Sequence, residues 1–260
     1  MNKKELKRLD IILLILFPLL AVIISLAIKA NFLTSALLFY GVPAIWLSYR
    51  TKHMIKKTAL FSIILTVPFT IVIDYIATID KAWTVIVSIF PYRLFGVIPI
   101  EDFIFGFIFV YSIIIFYEHF LDKGKHKLID KRMKYFIMPL ILMLIVFFFV
   151  LITTPEILVI KYAYLWLGII FLLIPTVTFL SFFPRLLSKY AKTAVYFFII
   201  AFLFELTALQ LNQWTFEGVH FIGWFEVLGH RFPIEEPIFY FTLCTTAILS
   251  YFEFFDDDRK

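Results

Sequence analysis

The sequence predicts an all-α membrane protein with about eight transmembrane helices, arranged as two tandem four-helix units in parallel orientation. Three observations lead there: the apolar composition, the sorting of positive charge between loops, and an internal repeat. Hydrophobic residues make up 62% of the 260 and charged residues only 17%, with a mean hydropathy of +0.96, well outside the mix of a soluble domain. The apolar residues come in runs of about 18 to 22, the length a hydrocarbon core of about 30 Å asks of a helix. Helices are expected because a backbone facing lipid must satisfy its own hydrogen bonds.

The runs place spans at 9–28, 32–49, 58–79, 103–120, 135–152, 162–183, 193–211 and 238–255, the second and fourth being the weakest as full crossings. The first follows Lys3, Lys4, Lys7 and Arg8 and reads as an uncleaved span. It is too long for the apolar core of a signal peptide, and no small-residue cleavage site follows it. Lysine and arginine then divide nineteen to five between alternate loops. The poor side holds only Lys29, Lys81, Arg93, Lys161 and Arg231. The positive-inside rule therefore expects a multi-pass protein of the cell membrane with both termini cytoplasmic. The net charge of +5 belongs to these short loops, so the expected partner is the lipid bilayer and not nucleic acid.

The repeat sets the domain expectation of one unit over 1–128 and a second over 129–260. Ile98-Pro99-Ile100-Glu101-Asp102 recurs as Phe232-Pro233-Ile234-Glu235-Glu236, followed by Ile104-Phe105 and Ile238-Phe239. Upstream, Asp74 precedes Trp83-Thr84 by the same spacing with which Glu205 precedes Trp214-Thr215. Pro43 matches Pro175, Phe107 Phe241, Tyr117 Tyr251 and Asp122 Asp256. Apolar bias alone does not align acids, prolines and tryptophans. Four spans per unit is an even number, so both units would share one orientation.

Six acids then fall near the same ends of their spans: Asp74, Glu205, Glu101, Asp102, Glu235 and Glu236. Ionisable groups at membrane depth are costly and usually face a bundle interior, which makes them functional candidates. A proline followed by acids is also an ordinary helix start, and Asp74 and Glu205 also suit helix bridging. Trp83 and Trp214 fit an interfacial belt or, in a dry pocket, a cation-stabilising π face. Arg93 and Arg231 are placed to hold a carboxylate ionised. Asp256, Asp257 and Asp258 read as a solvated tail, and Cys244 as packing. His53, His119, His126, His220 and His230 show no metal-ligand spacing, and the eight glycines form no dinucleotide fingerprint, so no metal and no cofactor is expected.

The paired P-x-E-[DE] motifs, each with an acid and a tryptophan upstream, resemble the membrane lycopene cyclases of the heterodimeric type in their fused form, over nearly the whole chain. That resemblance implies a carotenoid isomerase that closes the ψ ends of lycopene to β rings by proton-initiated cyclisation, with no net redox. It implies a lipophilic carotenoid as substrate, and other carotenoid-pathway membrane enzymes as candidate partners. It makes Glu101 and Glu235 the principal acid and base, with Asp102 and Glu236 as their partners and Asp74 and Glu205 as secondary candidates. Trp83, Trp214, Phe105 and Phe239 would then line the substrate. The units depart from each other at Asp102/Glu236 and Asp74/Glu205, and at Pro237, which only the second carries. An ion-coupled transporter with tandem repeats is the competing reading. A retinal protein would need a lysine deep in a helix, and a prenyltransferase an aspartate-rich diphosphate site.

Overall fold

A computed structural model describes residues 3–125 and 129–258. His126, Lys127, Arg259 and Lys260, which entered the charge and histidine readings above, lie outside the described residues, as does Leu128 at the expected unit boundary. Among the described residues, seven helices are long and apolar enough to cross a membrane: Glu5–Ile28, Phe32–Arg50, Lys52–Ile79, Ile100–Asp122, Met133–Thr153, Ala163–Phe182 and Pro184–Gln210. The eighth expected span is broken. A π-helical stretch, Glu236–Phe241, gives way to an α-helix, Cys244–Phe252. The stretch opens with Pro237 in its first turn, and the Thr242 hydroxyl donates to the Pro237 carbonyl at 2.6 Å near its end. The second and fourth spans, expected to be the weakest, are full-length helices.

The burial of each span sorts the bundle into centre and rim. The fourth span is 56% buried and the second 50%, against 17% for the fifth and 22% for the first. The rim helices turn Ile15, Ile23, Leu142 and Phe149 outward. In water such a surface would be prohibitive, whereas lipid tails solvate it at no cost. The fourth span instead packs on the second, third and seventh and on the Cys244–Phe252 helix of the eighth.

Several local irregularities recur in both halves of the chain. A π-helical turn at Leu37–Gly41 stands just before Pro43, and another at Ile169–Leu173 just before Pro175. Thr51 and Phe183 end these helices with similar torsions (φ −132°, ψ 49° and φ −128°, ψ 61°), each followed by a short 3-10 turn. Between the third and fourth spans, Arg93–Leu94 pairs with Ile98–Pro99 in a hairpin; between the seventh and eighth, Trp224–Val227 pairs with His230–Pro233. Both hairpins turn on a left-handed residue followed by glycine, Phe95-Gly96 and Leu228-Gly229, with φ of 53°, 77°, 52° and 79°. A third ribbon joins the two loops, Thr84 opposite Thr215 and Val85 opposite Trp214. The chain is mostly helical, as an all-α membrane protein should be, and these short ribbons add a lid at one end. Backbone leaving the helices there must find hydrogen bonds elsewhere, and the loops supply them to each other.

Candidate functional site

Beneath that lid lies a cavity of about 250 Å³. Four carboxyl groups reach its wall: Asp74 from the third span, Asp102 from the fourth, Glu205 from the seventh and Glu236 from the eighth. Asp102, Glu205 and Glu236 are 2%, 5% and 5% exposed and Asp74 is half-buried, so the site takes three carboxyls out of solvent from three separate spans. Asp74 and Asp102 lie close enough to sense each other's charge, as do Glu205 and Glu236. Most of the remaining wall is aromatic or aliphatic, Trp83, Trp214, Phe105 and Tyr40 among it, with Thr66, Thr70 and Cys244 adding small polar groups.

The two pairs are held differently. Trp214 Nε1 donates to Glu205 Oε1 at 3.1 Å, joining that acid to the Trp-Thr motif nine positions on in the second unit. Tyr164 donates its hydroxyl to Glu236, and Tyr240 stacks on the Tyr164 ring at 4.2 Å while donating to the Tyr164 carbonyl at 2.9 Å. In the first pair, Asp102 Oδ1 is buried without a hydrogen-bond partner among the described residues. Trp83 meets the Trp214 ring edge-on at 6.1 Å, placing the counterpart tryptophans side by side in the roof. Both line the cavity. The fourth span reaches the cavity closely because Gly106 faces the third. A methyl group there would lie 2.8 Å from Thr66 Cγ2, a distance that forces the helices apart.

Glu101 and Glu235, ranked first by sequence, do not reach the cavity wall. Both point back into their own loops. Glu101, 1% exposed, accepts from Ser88 Oγ at 2.7 Å, from the Phe90 amide at 3.2 Å and from the Ile89 amide. Glu235 accepts from the Ile222 amide at 2.8 Å. Successive helical residues lie about 100° apart, so in each P-x-E-[DE] motif one acid faces the loop and the next faces the cavity. Phe239 also leaves the candidate list: it packs against Gly168 and Leu172 in a separate apolar cluster, whereas Phe105 lines the cavity.

Among the described residues, neither arginine near the motifs forms a salt bridge with a motif carboxylate. Arg93 donates to the carbonyls of Val97 and Val85 at 3.1 and 2.9 Å, tying the hairpin to the lid, and Arg231 lies 4.4 Å over the Trp224 ring. Sequence reasoning missed Tyr164 and Tyr240. Tyr164 sits in the sixth span, at a position with no tyrosine counterpart in the second, so a search for repeats passed over it. No protein-family model matches the chain, and no similar curated protein or solved structure is found, so what this cavity does rests on its own geometry and chemistry.

Proposed function

We propose that the chain is a membrane carotenoid cyclase of the lycopene cyclase type, in which two tandem four-helix units build one shared active site. The observation that carries this reading is the cavity itself: carboxyl groups from both halves converge on a single aromatic-walled space of about 250 Å³. That size is just below the roughly 300–1,000 Å³ of drug-sized ligand sites, so the cavity suits one end of a long polyene and not its whole length.

The chemistry asks for a proton donor, a dry wall and a base. A neutral carboxylic acid adds its proton to the terminal alkene of a ψ end, forming a tertiary cation. The next double bond attacks that cation and closes the six-membered ring, and a ring proton then leaves to a carboxylate. One proton enters and one departs, so the product is an isomer. Asp102 is the proposed donor, because its Oδ1 is committed to no other group. Glu236, fixed by Tyr164, and Glu205, fixed by Trp214, are the proposed acceptor and cation-stabilising carboxylate. The indole faces of Trp83 and Trp214 supply further cation stabilisation. Duplication is supported by the Trp-Thr motifs, whose counterpart threonines, Thr84 and Thr215, stand opposite each other in the joining ribbon. Sorting of positive charge supports the lid end as the outer side, with both termini cytoplasmic.

Expression in a lycopene-accumulating bacterium, with pigments resolved by chromatography, tests the reading. The expected outcome is conversion of lycopene to monocyclic and then bicyclic product. Asp102→Asn and Glu236→Gln should each remove both products, since the halves share one site. A single variant that still makes one ring would show instead that each unit works alone. Unchanged lycopene beside properly inserted wild-type protein would end the cyclase reading, and a solute-uptake assay on the same cells would then address transport.

A further inference from the structure

Two surfaces of the molecule are the reverse of what a water-facing chain would show. Asp256, expected to lie in a solvated tail, is fully buried, and Asp258 is 7% exposed. The loop joining the third and fourth spans does the opposite and turns large apolar side chains outward. Val87 is 68% exposed, Tyr92 61% and Phe95 42%, with Ile86 and Ile89 beside them. Over 82–99 the single charged residue is Arg93, and its guanidinium is occupied by the carbonyls of Val97 and Val85. The loop at the equivalent place in the second half carries Glu217, Glu226 and Arg231 together with His220 and His230.

The tip of the first loop also sits too deep for water. Phe95, at its turn, packs its ring 6.1 Å from Tyr75 of the third span and 5.9 Å from Phe148 of the fifth. The fifth span has 21 residues, about 32 Å at 1.5 Å per residue, so it just crosses a hydrocarbon core of about 30 Å. Phe148 precedes its lid end, Thr153, by five residues and therefore lies about 7.5 Å inside that core. Tyr75 likewise lies about one turn below the end of the third span at Ile79. The backbone suits such a setting, where no water completes its hydrogen bonds. Arg93–Leu94 pairs with Ile98–Pro99, and the Gly96 and Val97 amides each donate at 3.1 Å to the Arg93 and Leu94 carbonyls. Glu101 accepts from the Ile89 and Phe90 amides, so the loop-facing acid of the first motif supplies acceptors that lipid lacks.

We infer that the 85–99 loop is a membrane-dipping hairpin whose apolar side chains are covered by the acyl chains of the leaflet at the lid end. The lipid-facing surface of the fifth span runs on into it through the contact of Phe148 with Phe95, so span and loop share one apolar boundary. This covering has a consequence for the cavity. Trp83 in its roof and Asp102 on its wall flank the two ends of the loop, so the lid meets lipid on this side and a lipophilic ligand reaches it without crossing water. The inference rests on the placement of the spans in a bilayer and is independent of the cyclase reading.

The test uses the full-length chain with Cys244→Ser, which removes its one native thiol, in phospholipid nanodiscs. Phe95→Cys, Leu142→Cys and Glu226→Cys are made singly, spin-labelled and read by collision with oxygen, which concentrates in hydrocarbon, and with a water-soluble nickel chelate. Leu142, outward on the fifth span, is the lipid reference, and the exposed Glu226 of the second loop is the aqueous one. Nickel collisions at Phe95→Cys should be about tenfold below those at Glu226→Cys, since a polar chelate is excluded from an apolar medium. Its oxygen collisions should match those at Leu142→Cys. Nickel access at Phe95→Cys equal to that at Glu226→Cys would overturn the inference and leave the bilayer placement standing. Protection from both reagents would overturn it too, because a second copy or another protein then covers the tip. A lipid reference that reads as aqueous would remove the inference together with the bilayer placement. Should Phe95→Cys not fold, Val87→Cys, at a more exposed position of the same loop, carries the same expectation and the same refutation.

Discussion

The two ends of this bundle bury the same kind of side chain in opposite company. Under the lid, Asp74, Asp102, Glu205 and Glu236 meet indoles, a phenol and one another. At the far end, Glu118 and Asp256 share the ammonium of Lys57, while Asp258 takes Lys189 and the Tyr117 hydroxyl. A carboxylate clamped by an ammonium gives up its reactivity to hold helices together. A carboxyl with no ammonium or guanidinium in direct contact, facing neutral donors, π faces and other carboxyls, is freer to exchange a proton. On the proposed reading, one end carries chemistry and the other cohesion, and that contrast can be broken by experiment.

The sharpest break comes from the cavity. Asp102→Asn or Glu236→Gln should lower pigment cyclisation by about 10²–10⁴-fold, the usual worth of a general acid or base, while detergent-solubilised protein unfolds at an unchanged temperature. Loss of folding in step with activity would make these acids structural as well. Next in size, Lys57→Met should cost about 3–5 kcal/mol in thermal unfolding, because it strands Glu118 and Asp256 without their shared ammonium. Its cyclisation at low temperature should survive. Glu101→Gln should cost about 1–3 kcal/mol through weakened bonds to the 88–90 loop, and Glu235→Gln less, since Glu235 takes a single loop amide. In both, activity should fall only as far as stability does.

Finer still, Tyr164→Phe should slow cyclisation about tenfold with little change in unfolding temperature, by freeing Glu236 to turn away from the cavity. The smallest effect concerns pH at the far end. Burial opposes ionisation of Asp258, but the Lys189 ammonium and the Tyr117 hydroxyl outweigh it and hold the carboxyl below its ordinary value. A depressed value means the contribution to stability is complete above the unfolded carboxylate range near 4 and is lost as pH falls through the folded value. Unfolding temperature should therefore drop on acidification below about pH 4, and Lys189→Met should flatten that drop.

Much of this could be read without coordinates. The apolar runs located all seven full spans to within a few residues at most ends, because a helix in lipid is a local requirement of length and hydropathy. The starts of the third and seventh came earlier than expected, since their basic first turns project from the apolar stretch. The eighth could not be foreseen as broken, because the run 238–255 is as apolar as its neighbours, and only the hydroxyl of Thr242 on the Pro237 carbonyl reveals the altered hydrogen bonding. For the candidate site, the repeat marked both acids of each motif, and only the packing separates them: Asp102 and Glu236 line the cavity, while Glu101 and Glu235 hold loops.

By itself, then, the sequence determined that this is a helical protein for a bilayer and which acids are set apart. Both follow from composition and spacing along one chain. Tertiary structure alone decided which acid of each adjacent pair faces the cavity, that Tyr164 steadies Glu236, and that Asp122 meets Asp256 at the far end. The reason is geometric: neighbouring helical residues diverge by about 100°, and only the packing of one helix against the next selects which direction is inward.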